Sequence, residues 1–386
     1  MGRRRRRGPS TDAIHGDGHR PSPGEPIVPP IVQSSTFAGG FGRNEELLYT
    51  RYGNNPTQTA VGRKIAELEG MEAGAVLGSG MGAIAMTLLA LTTRGDHIVA
   101  SSHLYGATRR FLEEELPRRG VTTTFVDPER GAWRRATRKS TRLIYFETPT
   151  NPTLQIVDPR PLAQLAQERG LMLVMDATFA TPVLMRPGEF GVDVVLHSAT
   201  KYLGGHSDLI AGAVAGPTDV IGEVIAMMRY YGPSIDPQTA WLLDRGIRTL
   251  AVRMERHVAN AAAVADFLDA HDAIDSVLYP GLASHPDHAL AAELLTGGFG
   301  GMVSFVVKGG GDAADRFMRA LKLIHVAPSL GGVESLVSQP RFTSHAGISP
   351  ARREELGIPD GFVRLSVGIE DEADLIGDLE RALGRV

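Results

Sequence analysis

Polar side chains gather just past three apolar runs of strand length. Glu147 and Asn151 follow the run 143–146, Asp176 and Thr178 follow 171–175, and His197-Ser198-Ala199-Thr200-Lys201 follows 192–196. Each has an ordinary reading alone, since a lysine after a strand is usually solvated and an aspartate before a loop usually caps or turns the chain. Their convergence beyond the carboxyl ends of neighbouring strands is what a site requires. An amine, an acid and several hydroxyls in one place suit carbonyl chemistry: the amine forms an imine, the acid holds a proton on a ring nitrogen, and the hydroxyls donate to an anion.

Pyridoxal 5′-phosphate (PLP) needs that set. Lys201 supplies the amine, Asp176 the acid that keeps a pyridine nitrogen protonated, and the turn Gly78-Ser79-Gly80-Met81 an anion site. The turn precedes the apolar stretch 83–91, so its N–H groups face a phosphate from a helix N-terminus. Ser198 and Thr200 add hydroxyl donors, and Tyr105 is the candidate aromatic platform, although a lone tyrosine is more often core. The same glycines fit a loose dinucleotide fingerprint, which wants an acidic residue at the end of the next strand. That strand, 97–100, ends in Ser101-Ser102, so the dinucleotide reading loses its support. With no cysteine, disulfides, thiolate metal sites and a thiol nucleophile are excluded, and no metal site is expected.

The elements that must position these groups follow from length and pattern. A chain of 386 residues, 42% hydrophobic, is too long for one small core and implies two packed domains. The net charge of -4 is spread along the chain, which argues against a nucleic-acid or membrane surface and for small-molecule partners. Residues 1–45 are rich in Gly, Pro and Ser and read as an extended arm, with 1–25 expected to be disordered. Residues 46–245 read as the cofactor-binding domain. Its strands lack alternation, as strands buried on both faces should, and a helix over 161–169 turns Leu162, Leu165 and Ala166 to one face before Gly170. Repetition of strand, helix and strand predicts an α/β fold with a parallel sheet. Residues 246–386 read as a smaller α+β domain, with a strand over 302–307 and a last helix over 372–383. Arg3 to Arg7 precede no apolar segment, so they read as a solvated tail and the chain as cytoplasmic.

The stretch His197-Ser198-Ala199-Thr200-Lys201-Tyr202-Leu203-Gly204-Gly205-His206-Ser207-Asp208 resembles the PLP-lysine signature of the trans-sulfuration family of cysteine and methionine metabolism. That family contains cystathionine γ-synthase, the cystathionine lyases and methionine γ-lyase. Further blocks agree in order: Tyr49 to Thr57, Ser79-Gly80-Met81, Glu147 to Pro152, Asp176 to Pro182, Ser329 to Gly332, and Arg364 to Gly368. The first carries Asn54-Asn55 where the family usually has one asparagine. The resemblance implies the type I PLP-transferase fold, aspartate-aminotransferase-like, with a mostly parallel central sheet and a smaller C-terminal α+β domain. It implies catalytic roles for Lys201 and Tyr105 and cofactor contacts from Gly80, Met81, Tyr105, Asn151, Asp176, Thr178, Ser198, Thr200 and Lys201. Tyr49 and Arg51 would reach the cofactor of a neighbouring subunit, which implies a homo-oligomer: a dimer for the site, commonly a tetramer. Ser329, Asn151 and Arg364 would bind substrate, Arg364 by its α-carboxylate.

The implied chemistry lies at Cγ of a homoserine-derived amino acid. Where family members often carry glutamate before Ser-Leu-Gly-Gly, this chain has Pro328, and Ala327-Pro328-Ser329 with Arg109-Arg110-Phe111-Leu112 resembles plant-type cystathionine γ-synthases. The expectation is γ-replacement of an activated homoserine by cysteine, with γ-elimination to 2-oxobutyrate as the alternative. An aminotransferase of the same fold or a binding module is more remote. Arg109 and Arg110 hint at an anionic leaving group, but read first as solvated helix residues.

Overall fold

The computed structural model describes residues 7–39, 47–127, 131–344, 346–347 and 349–386. The central sheet contains β1 (Ala73–Leu77), β2 (His97–Ser101), β3 (Thr122–Val126), β4 (Thr141–Glu147), β5 (Met172–Asp176), β6 (Val194–His197) and β7 (Gly212–Gly216), in the order β1-β7-β6-β5-β4-β2-β3. β7 lies antiparallel to both its neighbours, and the other pairings are parallel. The sheet is therefore mostly parallel, the single reversal being a strand that returns directly after the Lys201 loop.

Burial explains the unalternating strand sequences. β2, β6 and β7 are buried along their whole length, since helices cover both faces. The helix Pro159–Arg169 joins β4 to β5; Asp158 caps it and Gly170 ends it in the left-handed conformation. In the β4–β5 register Glu147 lies opposite Asp176, and in β5–β6 Asp176 lies opposite Leu196. Three neighbouring strands thus end together, and their polar residues share one edge.

The long helix Leu250–Asp269 leads to a second sheet of β8 (Ile274–Leu278), β9 (Met302–Val307), β10 (His325–Val326), β11 (Leu336–Ser338) and β12 (Phe362–Ser366), ordered β10-β11-β12-β9-β8. Its pairings are antiparallel except β10 with β11. Val303, Phe305, Phe317, Val363 and Leu379 fill a separate core under it. Arg364 sits on the central strand β12, and Ser329 in the connection between β10 and β11.

The arm departs from the extended, disordered reading. Residues Pro9–His15 form a helix, with proline in its first turn and Asp12 and Ala13 buried. Its composition suggested only loop, but two aspartates anchor it. Asp12 pairs with Arg186 and Arg7, each at 3.2 Å. Asp17 lies 3.7 Å from Lys64, whose fully buried ammonium also pairs with Asp244, while Arg248 reaches Asp244 at 2.8 Å. Of the basic run, Arg3 to Arg6 lie outside the described residues.

A buried charge stripped of its partner costs far more than the pair contributes. Lys64→Met, which leaves Asp17 and Asp244 facing Arg248 alone, is expected to lower unfolding stability by about 3 kcal/mol. Urea denaturation measures it, and a loss within about 0.5 kcal/mol, as for an ordinary surface change, would contradict the anchoring role.

Candidate active site

A cavity of about 700 Å³ opens beyond the carboxyl ends of β4, β5 and β6. Gly80, Met81, Tyr105, Asn151, Asp176, Thr178, Ser198, Thr200, Lys201, Ser329 and Arg364 all line it, together with Glu147. Tyr49 and Arg51 do not. Arg51 stacks over the Tyr49 and Tyr52 rings and donates to the Arg229 carbonyl at 2.6 Å. Asn55, the second of the two asparagines, is the buried N-cap of the helix Pro56–Glu69 and forms a capping box with Gln58.

At the floor stand two carboxyls. Burial raises Glu147 well above the usual carboxylate range, and the neighbouring Asp176 raises it further. One of its oxygens accepts the Tyr105 backbone N–H at 2.8 Å. Burial also raises Asp176, opposed by Thr178 and by the charge of His197. Thr178 gives Asp176 Oδ1 both its N–H (2.9 Å) and its hydroxyl (2.6 Å), and the Thr178 hydroxyl in turn accepts the Ser198 N–H at 2.8 Å. Two adjacent buried carboxyls with unlike partners divide the labour: Glu147 stays neutral and Asp176 takes the charge. With Oδ1 occupied, Oδ2 is available to a donor in the cavity. A protonated ring nitrogen is the donor that suits it.

The opposite end is built for an anion. The helix Gly80–Leu91 begins at Ser79, whose hydroxyl caps it by accepting the Gly82 N–H at 2.9 Å. The N–H groups of Gly80 and Met81 have no acceptor within the helix by its geometry, and the dipole favours negative charge there. A Cβ on Gly80 would lie 2.7 Å from both Cβ and Oγ of Ser198, so only glycine lets this turn approach the Ser198 hydroxyl. Thr200 differs from the expectation: its hydroxyl exchanges hydrogen bonds with the Ala211 backbone and braces the Lys201 loop against β7. Thr178, too, spends its hydroxyl on Asp176.

Lys201 lies between these ends. Its ammonium donates to Ser329 Oγ at 2.7 Å. Ser329 has φ +88°, a left-handed conformation that costs a non-glycine residue strain, and its carbonyl accepts from Arg364 at 3.1 Å. Arg364 also donates to Asn151 Oδ1 at 3.0 Å. One strained serine thus links the amine to the guanidinium, and Arg364 joins the two domains. A Cβ on Gly331, at φ +77°, would meet the Tyr202 backbone nitrogen at 2.7 Å, so this loop packs directly on the lysine loop. Burial, helped by the charge of Arg364, lowers Lys201 to about 8, and burial lowers Arg364 to about 10. Tyr105 lines the wall at 44% exposure. Arg109 is committed elsewhere, to Glu113 at 2.8 Å, the Ser102 carbonyl and the Phe125 ring.

The amine, the acid, the helix start and the aromatic wall fit PLP. Sequence reasoning missed Ile210, Phe342, Thr343 and Ser344, which also line the cavity. Ile210, Thr343 and Ser344 stand on irregular segments and Phe342 ends the short 3-10 turn Pro340–Phe342, all outside any chemical motif, so no signal in the sequence marks them.

A family model described as Cys/Met metabolism PLP-dependent enzyme matches residues 10–384. The chain is 44% identical over 360 residues to a cystathionine gamma-lyase of Bacillus subtilis, covering 92% of this chain and 94% of that one. It is 42% identical over 373 residues to an L-methionine gamma-lyase of Fusobacterium nucleatum, covering 93% and 94%. A crystal structure of cystathionine gamma synthase from Xanthomonas oryzae, in complex with aminoacrylate and cysteine, superposes with a TM-score of 0.93 at 39% identity, covering 98% of each chain.

The lowered Lys201 makes a prediction for the protein stripped of cofactor. A lysine reacts as the free amine, so labelling of Lys201 by trinitrobenzenesulfonate should rise with pH through a midpoint of about 8, not the model-peptide 10.5. Peptide mass spectrometry reads the site, and a midpoint near 10.5 would show that burial and Arg364 do not act on this amine.

Proposed function

The chain belongs to the PLP-dependent enzyme family of Cys/Met metabolism, and we propose that within it the protein acts at Cγ of homoserine-derived amino acids, replacing an activating group on the side-chain oxygen by a thiol, with cysteine as the first candidate. PLP is its cofactor, and the enzyme is a transferase or a carbon–sulfur lyase. The observation carrying the finer reading is the make-up of the outer wall. The carboxylates lining the cavity among the described residues are Glu147 and Asp176, both on the floor, while the outer wall has Pro328, Phe342 and Ile210. Cleavage of cystathionine would call for a partner for the distal ammonium. A homoserine ester needs none, so the wall supports the activated homoserine; the ammonium of an incoming cysteine meets the same wall, and cysteine as the acceptor rests on the resemblance to cystathionine γ-synthases.

The geometry supports the following division of roles. Arg364, held by Asn151 and the Ser329 carbonyl, clamps the α-carboxylate through a bidentate contact. Asp176 would hold the ring-nitrogen proton, and the start of the helix Gly80–Leu91 with Ser198 would hold the phosphate. When bound, PLP supplies an electron sink for charge developing on the substrate. Lys201, the residue that would carry the cofactor, is placed to move protons between Cα and Cβ, for which an amine near neutrality is suited. Tyr105, on the wall, would stack on the ring beside the substrate's amine and leaving group. In the exchange at Cγ the carbon–oxygen bond breaks, the thiol sulfur bonds to Cγ, and the thiol proton leaves with the released acid. Tyr49 and Arg51 serve the cofactor of a second copy, in a cytoplasmic homodimer or dimer of dimers.

The same wall admits a second reading, γ-elimination from a thioether with no distal charge, such as methionine. The 42% identity to an L-methionine gamma-lyase supports it. Incubating the holoenzyme with O-succinyl-, O-acetyl- and O-phosphohomoserine, each with and without cysteine, and with cystathionine or methionine alone, separates the two. Cystathionine formed only when ester and cysteine are both present is the expected product by mass spectrometry. Accumulation of 2-oxobutyrate from a thioether without acceptor would replace γ-replacement by elimination.

A further inference from the structure

On the far side of the outer wall lies a second cleft, of about 370 Å³. Pro328, Phe342 and Thr343 line both spaces. Its other walls are chiefly apolar: Met318 from the helix Gly310–Ala320, Val326 and Ala327 from β10 and its end, and Val337 from β11. The acid at its edge, Asp315, is taken up by Arg341 at 2.6 Å and Gln339 at 3.0 Å, and Arg319 stands at the same helix edge. Phe342 is 65% exposed, Val326 60% and Ile210 66%. Large apolar side chains exposed along these two adjoining spaces point to an apolar occupant. Arg341, fixed by Asp315 and Gln339, lies 4.3 Å from the Phe342 ring centre and holds it at the partition.

We propose that this cleft is an apolar annex of the reaction cavity, taking the alkyl end of a substituent on the substrate's Cγ, with Phe342 and Pro328 as specificity-determining residues. The inference rests on the reading of the site as one that binds amino acids by Arg364, and deepens it by naming the substituent class. The shared wall carries it: Pro328, Phe342 and Thr343 face both spaces, so a chain leaving Cγ along them runs from an outer wall without a carboxylate toward a cleft whose one carboxylate among the described residues, Asp315, is already paired. Each methylene that enters is removed from water.

Binding of unreactive straight-chain L-2-amino acids, from norvaline through norleucine to 2-aminodecanoate, tests this without turnover. They carry no leaving group, and the change in cofactor absorbance of the holoenzyme reports occupancy. Kd should fall with each added methylene by up to about fourfold once the chain reaches the annex. Val326→Asp, a change at an exposed position that puts a charge in the annex wall, should flatten that series, so the ratio of Kd for norvaline to that for 2-aminodecanoate drops at least tenfold. Affinity that is level or falls with chain length in the unmodified enzyme would overturn the annex, as would a series untouched by Val326→Asp. Neither result depends on whether an ester or thioether is turned over, so a failure of the proposed reaction stays distinguishable from a failure of the annex.

Discussion

The site depends on two carboxyls, Glu147 and Asp176, buried side by side at the ends of adjacent parallel strands. They cannot both be ionised cheaply. Their environments decide the matter, since Glu147 takes one backbone N–H while Asp176 takes two donors from Thr178 and feels the charge of His197. The same Glu147 contact fixes the backbone at Tyr105. Charge placement on the floor and the position of the aromatic wall are thus one arrangement, which a cationic ring nitrogen at Asp176 would complete.

The second constraint is mechanical. The large sheet supplies Asp176 and Lys201, and the small sheet supplies Arg364 on β12 and Ser329 before β11. Arg364 reaches back to Asn151, Ser329 reaches Lys201, and Gly331 packs on the Tyr202 backbone. The groups proposed to recognise substrate are therefore positioned by the packing of the two sheets. The strained φ of Ser329 is held by contacts at both its hydroxyl and its carbonyl.

Much of this was legible in the sequence because it follows from rules with short range. Strands buried on both faces announce themselves as apolar runs, and the polar residues after 143–146, 171–175 and 192–196 fall together because those strands are neighbours. The strand over 302–307 and the helix over 372–383 lie where the pattern put them. The reversal of β7 was not legible, since a strand buried on both faces reads alike in either direction. The helix at Pro9–His15 was hidden because its stability comes from distant partners, Arg186 for Asp12 and Lys64 for Asp17. Proximity to Lys201 suggested the Thr200 hydroxyl as a phosphate donor, whereas in the fold it exchanges hydrogen bonds with the Ala211 backbone of the segment leading into β7. The outer wall of Ile210 and Phe342 comes from segments whose meeting no periodicity encodes.

The central claim is that Lys201, set between Asp176 and the start of the helix Gly80–Leu91, is the residue that carries the cofactor. Borohydride reduction of the holoenzyme followed by peptide mapping tests it most directly. The account predicts the pyridoxyl phosphate mass on the peptide bearing Lys201. Its appearance on another lysine, or on none in protein that holds the cofactor, would contradict the account.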